Sequence, residues 1–73
     1  MNYVDIMNLW PDRKTLAADA GISAFAVDKW FIRKSIPQQY WPRLVDAARL
    51  RRLRGVTADT FLNAERLRLS QAA

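Results

Sequence analysis

Cysteine and histidine are both absent from this 73-residue chain, and glycine (two) and proline (three) are scarce. Without cysteine there is no disulfide, no thiolate zinc site and no cysteine nucleophile, and the chain suits a reducing compartment. Without histidine a metal would have to be held by carboxylates alone, so none is expected. No apolar run approaches the roughly 18 residues of a membrane span, and no basic flank precedes a leader-like segment. Neither a membrane partner nor a signal peptide is expected, and the expected location is the cytoplasm. Few glycines and prolines beside 51% apolar residues argue against disorder and for a packed, mostly helical single domain over residues 1–73. So short a chain buries only about 60% of its unfolded surface, which leaves little room for a deep cavity. No cofactor and no small-molecule ligand are therefore expected. The seven acids, Asp5, Asp12, Asp19, Asp28, Asp46, Asp59 and Glu65, form no evident acid–base pair. With no activated nucleophile or phosphate loop either, enzyme activity is not expected.

What is abundant is positive charge, and it is unevenly placed. Twelve Lys and Arg against seven Asp and Glu give a net +5. Residues 1–12 contain Asp5 and Asp12 and no base, whereas residues 29–54 contain eight bases (Lys29, Arg33, Lys34, Arg43, Arg49, Arg51, Arg52, Arg54) against Asp46 alone. A local field of that sign suits a polyanion, since each base set against a phosphate releases counterions. A solvated helix face that merely keeps the chain soluble is the competing explanation.

Capping residues divide the chain into about five short helices. Asn2 caps a first helix through about residue 9, with Val4, Ile6, Met7, Leu9 and Trp10 available for burial, and Trp10-Pro11 ends it. Asp12 caps a second over 13–20, and Gly21 stops it by accepting a left-handed conformation. Ser23 caps a third, running to about residue 34 with Ala26, Val27, Trp30 and Phe31 on its apolar stripe. After Ser35-Ile36-Pro37 the spacing predicts a short turn at 37–40 and a fourth helix from about Trp41. That helix faces Trp41, Leu44, Val45, Ala48 and Leu53 inward, turns Arg43, Arg49, Arg51, Arg52 and Arg54 mostly outward, and closes at Gly55. Thr57-Ala58-Asp59 opens a fifth, which carries Phe61, Leu62, Leu67 and Leu69 and frays over 71–73.

The stretch RKTLAADAGISAFAVDKWF, residues 13–31, resembles the helix-turn-helix of the Cro and CI class of phage and bacterial repressors. Leu16 and Ala17 match the positions where two helices approach, Gly21 matches the turn, and Ile22, Val27 and Trp30 match the buried positions. VDKWFIRKSIPQQYWPRL extends the likeness toward the small Cro-type prophage regulators grouped as YdaS-like. An ordinary helical hairpin is the competing explanation. The resemblance implies a lambda-repressor-like, all-α DNA-binding domain whose third helix enters the major groove. Base reading would then fall to Ser23, Ala24, Phe25, Asp28, Lys29 and Arg33, on the face that also holds Ile32. Lys29 or Arg33 suits guanine, Asp28 suits cytosine N4, and Ala24 and Phe25 suit a thymine methyl. Phe25 could instead fold back on the first helix. Phosphate contacts would come from Arg13, Lys14, Lys34, Ser35, Gln38 and Arg43. Trp10, Trp30 and Trp41 lie on inward faces and read as core, not as stacking platforms for single strands. Tyr40 either reaches a phosphate or closes its turn.

The expected function is a sequence-specific regulator of transcription, a repressor that occludes a pseudo-palindromic operator as a homodimer. Residues 56–73 would form the dimer through Phe61, Leu62, Leu67 and Leu69. Two other functions fit the same residues: a protein-interaction adaptor or anti-repressor on this fold, and a nonspecific nucleic-acid binder.

Overall fold

Local capping chemistry sets most of the helix boundaries in the computed structural model, which describes residues 1–72. The Asn2 side chain accepts from the Asp5 amide at 2.8 Å and the Asp5 carboxylate accepts from the Asn2 amide at 3.1 Å, a reciprocal box that starts α1, Tyr3–Met7. Asp12 accepts from the Thr15 amide at 2.7 Å and opens α2, Arg13–Ala20. Gly21, with φ of 76°, ends it. Ser23 accepts from the Ala26 amide at 3.2 Å and starts α3, Ala24–Arg33. A single 3-10 turn, Gln38–Tyr40, leads into α4, Trp41–Leu50, where Pro42 sits in the first turn and needs no amide partner. The final helix, α5, is Ala58–Ala72. Thr57 caps it reciprocally with Thr60, whose hydroxyl also donates to the Gly55 carbonyl at 2.6 Å. Residue 73, part of the segment expected to fray, lies outside the described residues, and α5 continues to Ala72.

The fold is a compact all-α bundle of five helices, and the described residues contain no strand. Its core runs from α1 through α4 to α5 along aromatic rings. Trp41 stacks on Phe61 with centroids 5.5 Å apart and planes 19° apart, and the Tyr3 ring lies 6.4 Å from Trp41. Ile6, Leu16, Val27 and Leu44 belong to the same core and are essentially sealed from solvent. Trp10, Trp30 and Trp41 are all buried, as their inward positions imply. The Trp41 indole donates to the Ile36 carbonyl at 2.9 Å, so its burial leaves no polar group unpaired. No described helix is long and apolar enough to cross a membrane.

Two expectations are corrected. The fourth helix ends at Leu50, not at Gly55, because Arg52 takes a left-handed conformation (φ 60°) and lets the Leu53 amide close back on the Ala48 carbonyl at 2.8 Å. Phe61 is wholly enclosed within its own protomer, so it cannot supply a dimer surface. Adjacent helix positions are about 100° apart, and the burial of Phe61 and Ala64 turns Leu62 outward. Leu62 and Leu69 share one exposed side of α5, while Leu67 flanks the other, so the four do not make one stripe.

Candidate nucleic-acid interface

Helix α3 divides into a buried face and an exposed face. Val27 and Trp30 turn into the core, and Phe31 lies half-buried beside them. Residues at i, i+4 and i+7 from Phe25 then fall on the opposite side, and these are Lys29 and Ile32, with Arg33 adjoining. Phe25 is 68% exposed and Ile32 79%. Phe25 therefore does not fold back on α1. Its ring instead lies under the Lys29 ammonium, 5.0 Å from the centroid.

The other expected base-reading residues are more constrained. Ala24 is half-buried and packs on the core, which corrects its assignment to a thymine methyl. The Ser23 hydroxyl oxygen spends one lone pair as the helix cap, which leaves its proton and one lone pair for a ligand. Asp28 pairs with Arg13, whose guanidinium also lies 4.4 Å over the Phe31 ring. Both members of that pair are about half exposed, so it is weak and can open to a competing partner.

Of the six expected phosphate contacts, Lys14, Lys34 and Gln38 are exposed, and no ion pair among the described residues uses them. Arg13 is held by Asp28 as above. Ser35 is half-buried, and its amide is committed to the Trp30 carbonyl at 3.2 Å. Arg43 is turned back on the protein: its Nε donates to the Asp19 carbonyl at 2.9 Å, at the end of α2 where the helix dipole favours a cation. Arg43 thus ties α4 to the turn at Gly21 through Nε, and its exposed Nη groups are what it has left for a phosphate.

Asp19 is the residue that sequence reasoning missed. Its carboxylate accepts from the Trp10 indole at 2.7 Å and from Arg51 through Nε at 2.5 Å and Nη2 at 3.0 Å. Hydrogen bonding from Arg51 holds the Asp19 carboxyl below its usual pKa, against burial, with Trp10 adding to the effect. Arg51 is thus bound across the bundle and does not point away. A second clamp joins Tyr3 to Glu65 at 3.0 Å and Glu65 to Arg68 at 2.7 and 2.9 Å. Burial, then the Glu65 bond, pushes the Tyr3 hydroxyl well above its usual range, and Arg68 holds Glu65 below its own. An indole N–H on an inward face needs an acceptor, and that was the one signal pointing to Asp19.

The Asp19 clamp fixes α2, and through Gly21 it fixes the angle at which α3 leaves the bundle, while the Tyr3–Glu65–Arg68 clamp ties α1 to α5. What α3 presents is a ridge of Lys29 and Arg33 interleaved with Phe25 and Ile32, with Lys14 and Lys34 available beyond it. Such a ridge can bind and position an anionic partner, and it contains no paired acid and base. No family model, curated protein or solved structure matches the chain.

Proposed function

We propose that α2 and α3 form a helix-turn-helix and that the chain is a sequence-specific double-stranded DNA-binding regulator, a repressor that acts by occupying its operator. The observation that carries this reading is the exposed outer face of α3, mounted by Val27 and Trp30, where Lys29 and Arg33 join no ion pair among the described residues and lie beside exposed Phe25 and Ile32. Two cations on one helix face match guanine O6 and N7, and apolar side chains match thymine methyls. One major-groove helix reads too few base pairs to discriminate within a genome. The operator is therefore pseudo-palindromic and the protein a homodimer, with its two α3 helices about 34 Å apart. Leu62 and Leu69, the apolar residues left on one side of α5, are the pair expected at the dimer contact. The reading also implies a cytoplasmic location, where DNA is accessible.

The test is duplex binding over a range of salt concentrations. Affinity falls steeply with salt if phosphates are neutralised. Lys29→Ala or Arg33→Ala costs about 1–3 kcal/mol on the preferred sequence and relaxes discrimination at one or two base pairs. An adaptor that binds another protein is the second reading, favoured by the exposure of Phe25 and Ile32. It predicts salt-insensitive binding that Phe25→Ala removes.

A further inference from the structure

Three helices of this chain end with the same closure, and two of them use the wrong kind of residue for it. The amides of Ile22, Ser35 and Leu53 donate to the carbonyls of Ala17, Trp30 and Ala48 at 3.0, 3.2 and 2.8 Å. The residue just before each donor must be left-handed: Gly21 at φ 76°, Lys34 at 56° and Arg52 at 60°. Glycine adopts that conformation freely, whereas a residue with a Cβ adopts it under strain. One closure has the glycine. The other two have a base.

No side-chain partner among the described residues accounts for these bases. A cation gains from the dipole at a helix C-terminus, but Arg33 and Arg49 already supply that charge in the last turns of α3 and α4. Lys34 and Arg52 are exposed, and neither side chain joins an ion pair among the described residues. The fold uses the left-handed turn but not the base that occupies it, and a strained residue type kept there points to use by something outside the fold. Each strained base also has exposed basic neighbours that join no ion pair among the described residues: Lys34 adjoins Arg33, and Arg52 stands between Arg49 and Arg54. Separate single cations on flexible stems suit a row of phosphates, which requires no fixed partner geometry.

We propose that Lys34 and Arg52 are phosphate-contacting residues kept at the expense of fold stability, and that the turn from Arg49 to Arg54 is a second DNA-backbone contact, outside the α2–α3 pair. This rests on the DNA-binding reading above.

The experiment uses the full chain with a labelled duplex of mixed sequence, and pairs thermal unfolding with affinity measured across salt. Lys34→Gly and Arg52→Gly should each melt at or above the wild-type temperature and lower the slope of log affinity against log salt by about one. Arg52→Lys should retain the wild-type slope. Glycine variants that melt clearly lower would show the bases to be structural, and unchanged slopes beside a steep wild-type slope would overturn this proposal alone. A wild-type affinity insensitive to salt would overturn both this proposal and the DNA reading. Tighter binding to polyglutamate than to duplex would assign the surface to an acidic protein and overturn the proposal as well.

Discussion

Helices α3 and α5 are built alike on the inside and differently on the outside. Each turns two residues into the core, Val27 and Trp30 from α3, Phe61 and Ala64 from α5, and each starts at a side-chain cap, Ser23 or Thr57. Outside, α3 gathers Phe25, Lys29, Ile32 and Arg33 onto one side, whereas α5 splits its leucines, with Leu62 and Leu69 on one flank and Leu67 on the other. Amphipathicity alone thus does not separate a binding helix from a structural one. What separates them is whether the exposed side chains converge, and whether their charges are already spent within the fold. Among the described residues Lys29 and Arg33 join no ion pair, while Arg68 of α5 is held by Glu65.

Exchanging a phenylalanine for alanine on each helix gives the widest contrast. Phe61→Ala removes the ring stacked on Trp41 and should cost about 3–5 kcal/mol of stability, enough to unfold much of a domain this small. Phe25→Ala should change stability by less than about 0.5 kcal/mol, because its ring is mostly in solvent, and should reduce binding. Urea unfolding of both variants checks this. A Phe25→Ala loss as large as that of Phe61→Ala would mean that the outer face of α3 is structural after all.

Next in size is the turn that mounts α3. Gly21→Val places a β-branched residue at φ 76° and brings its Cβ to 2.9 Å from Arg43 Cζ. The guanidinium can move, but the backbone cannot, and the strain should cost about 2 kcal/mol or more. Calorimetry on this variant should show a lower melting temperature.

These two positions also show which parts of the structure the sequence made legible. Asp12, Gly21 and Ser23 fix the limits of α2 and α3 because capping is chemistry between residues three or four apart. The end of α4 is not legible because glycine is the residue that marks a left-handed stop, and here Arg52 takes that conformation three residues before Gly55. The Asp19–Arg51 clamp spans 32 residues, and no periodicity or cap encodes a pairing that tertiary packing creates. Phe61 and Leu62 are equally apolar in the sequence, and only the packing of α5, which buries Phe61 and Ala64, shows which of the two faces solvent. At the candidate site, the outward residues of α3 followed from the inward ones, but the diversion of Arg43 and Ala24 into the fold did not.

A smaller effect comes from the two clamps, one on each half of the bundle. Asp19→Asn weakens the bond to Arg51 and should destabilise by about 1–3 kcal/mol, the range for impairing a charged hydrogen-bonded partner. Acid should act in the same direction. Asp19 and Glu65 are held below their usual values of 3.8 and 4.5, so their contribution is complete above those values and is lost as pH falls through the lower, folded ones. Tyr3 is displaced upward from 10.0, so its contribution is complete below pH 10 and is lost as pH rises beyond it. Melting temperatures across pH should fall at both extremes, and Asp19→Asn should flatten the acid limb only in part, since Glu65 remains.

The smallest change expected in the protomer is at α5. Leu62→Ala with Leu69→Ala should alter protomer stability by less than about 0.5 kcal/mol per site, because both are substantially exposed. If α5 joins two copies, the same pair should shift sedimentation from dimer to monomer. A double variant that sediments as the wild type does would remove α5 from the dimer contact and leave α3 untouched.

Nitrogen–proton correlation spectra of the labelled protein, recorded as duplex DNA is added, test the outer face of α3 most directly. The account predicts shifts concentrated at residues 23–33, with Lys14 and Lys34 at the margins, and little change at Phe61 or Ala64. Shifts centred on Leu62 and Leu69 with α3 unmoved, or no shifts at all at low salt, would contradict it.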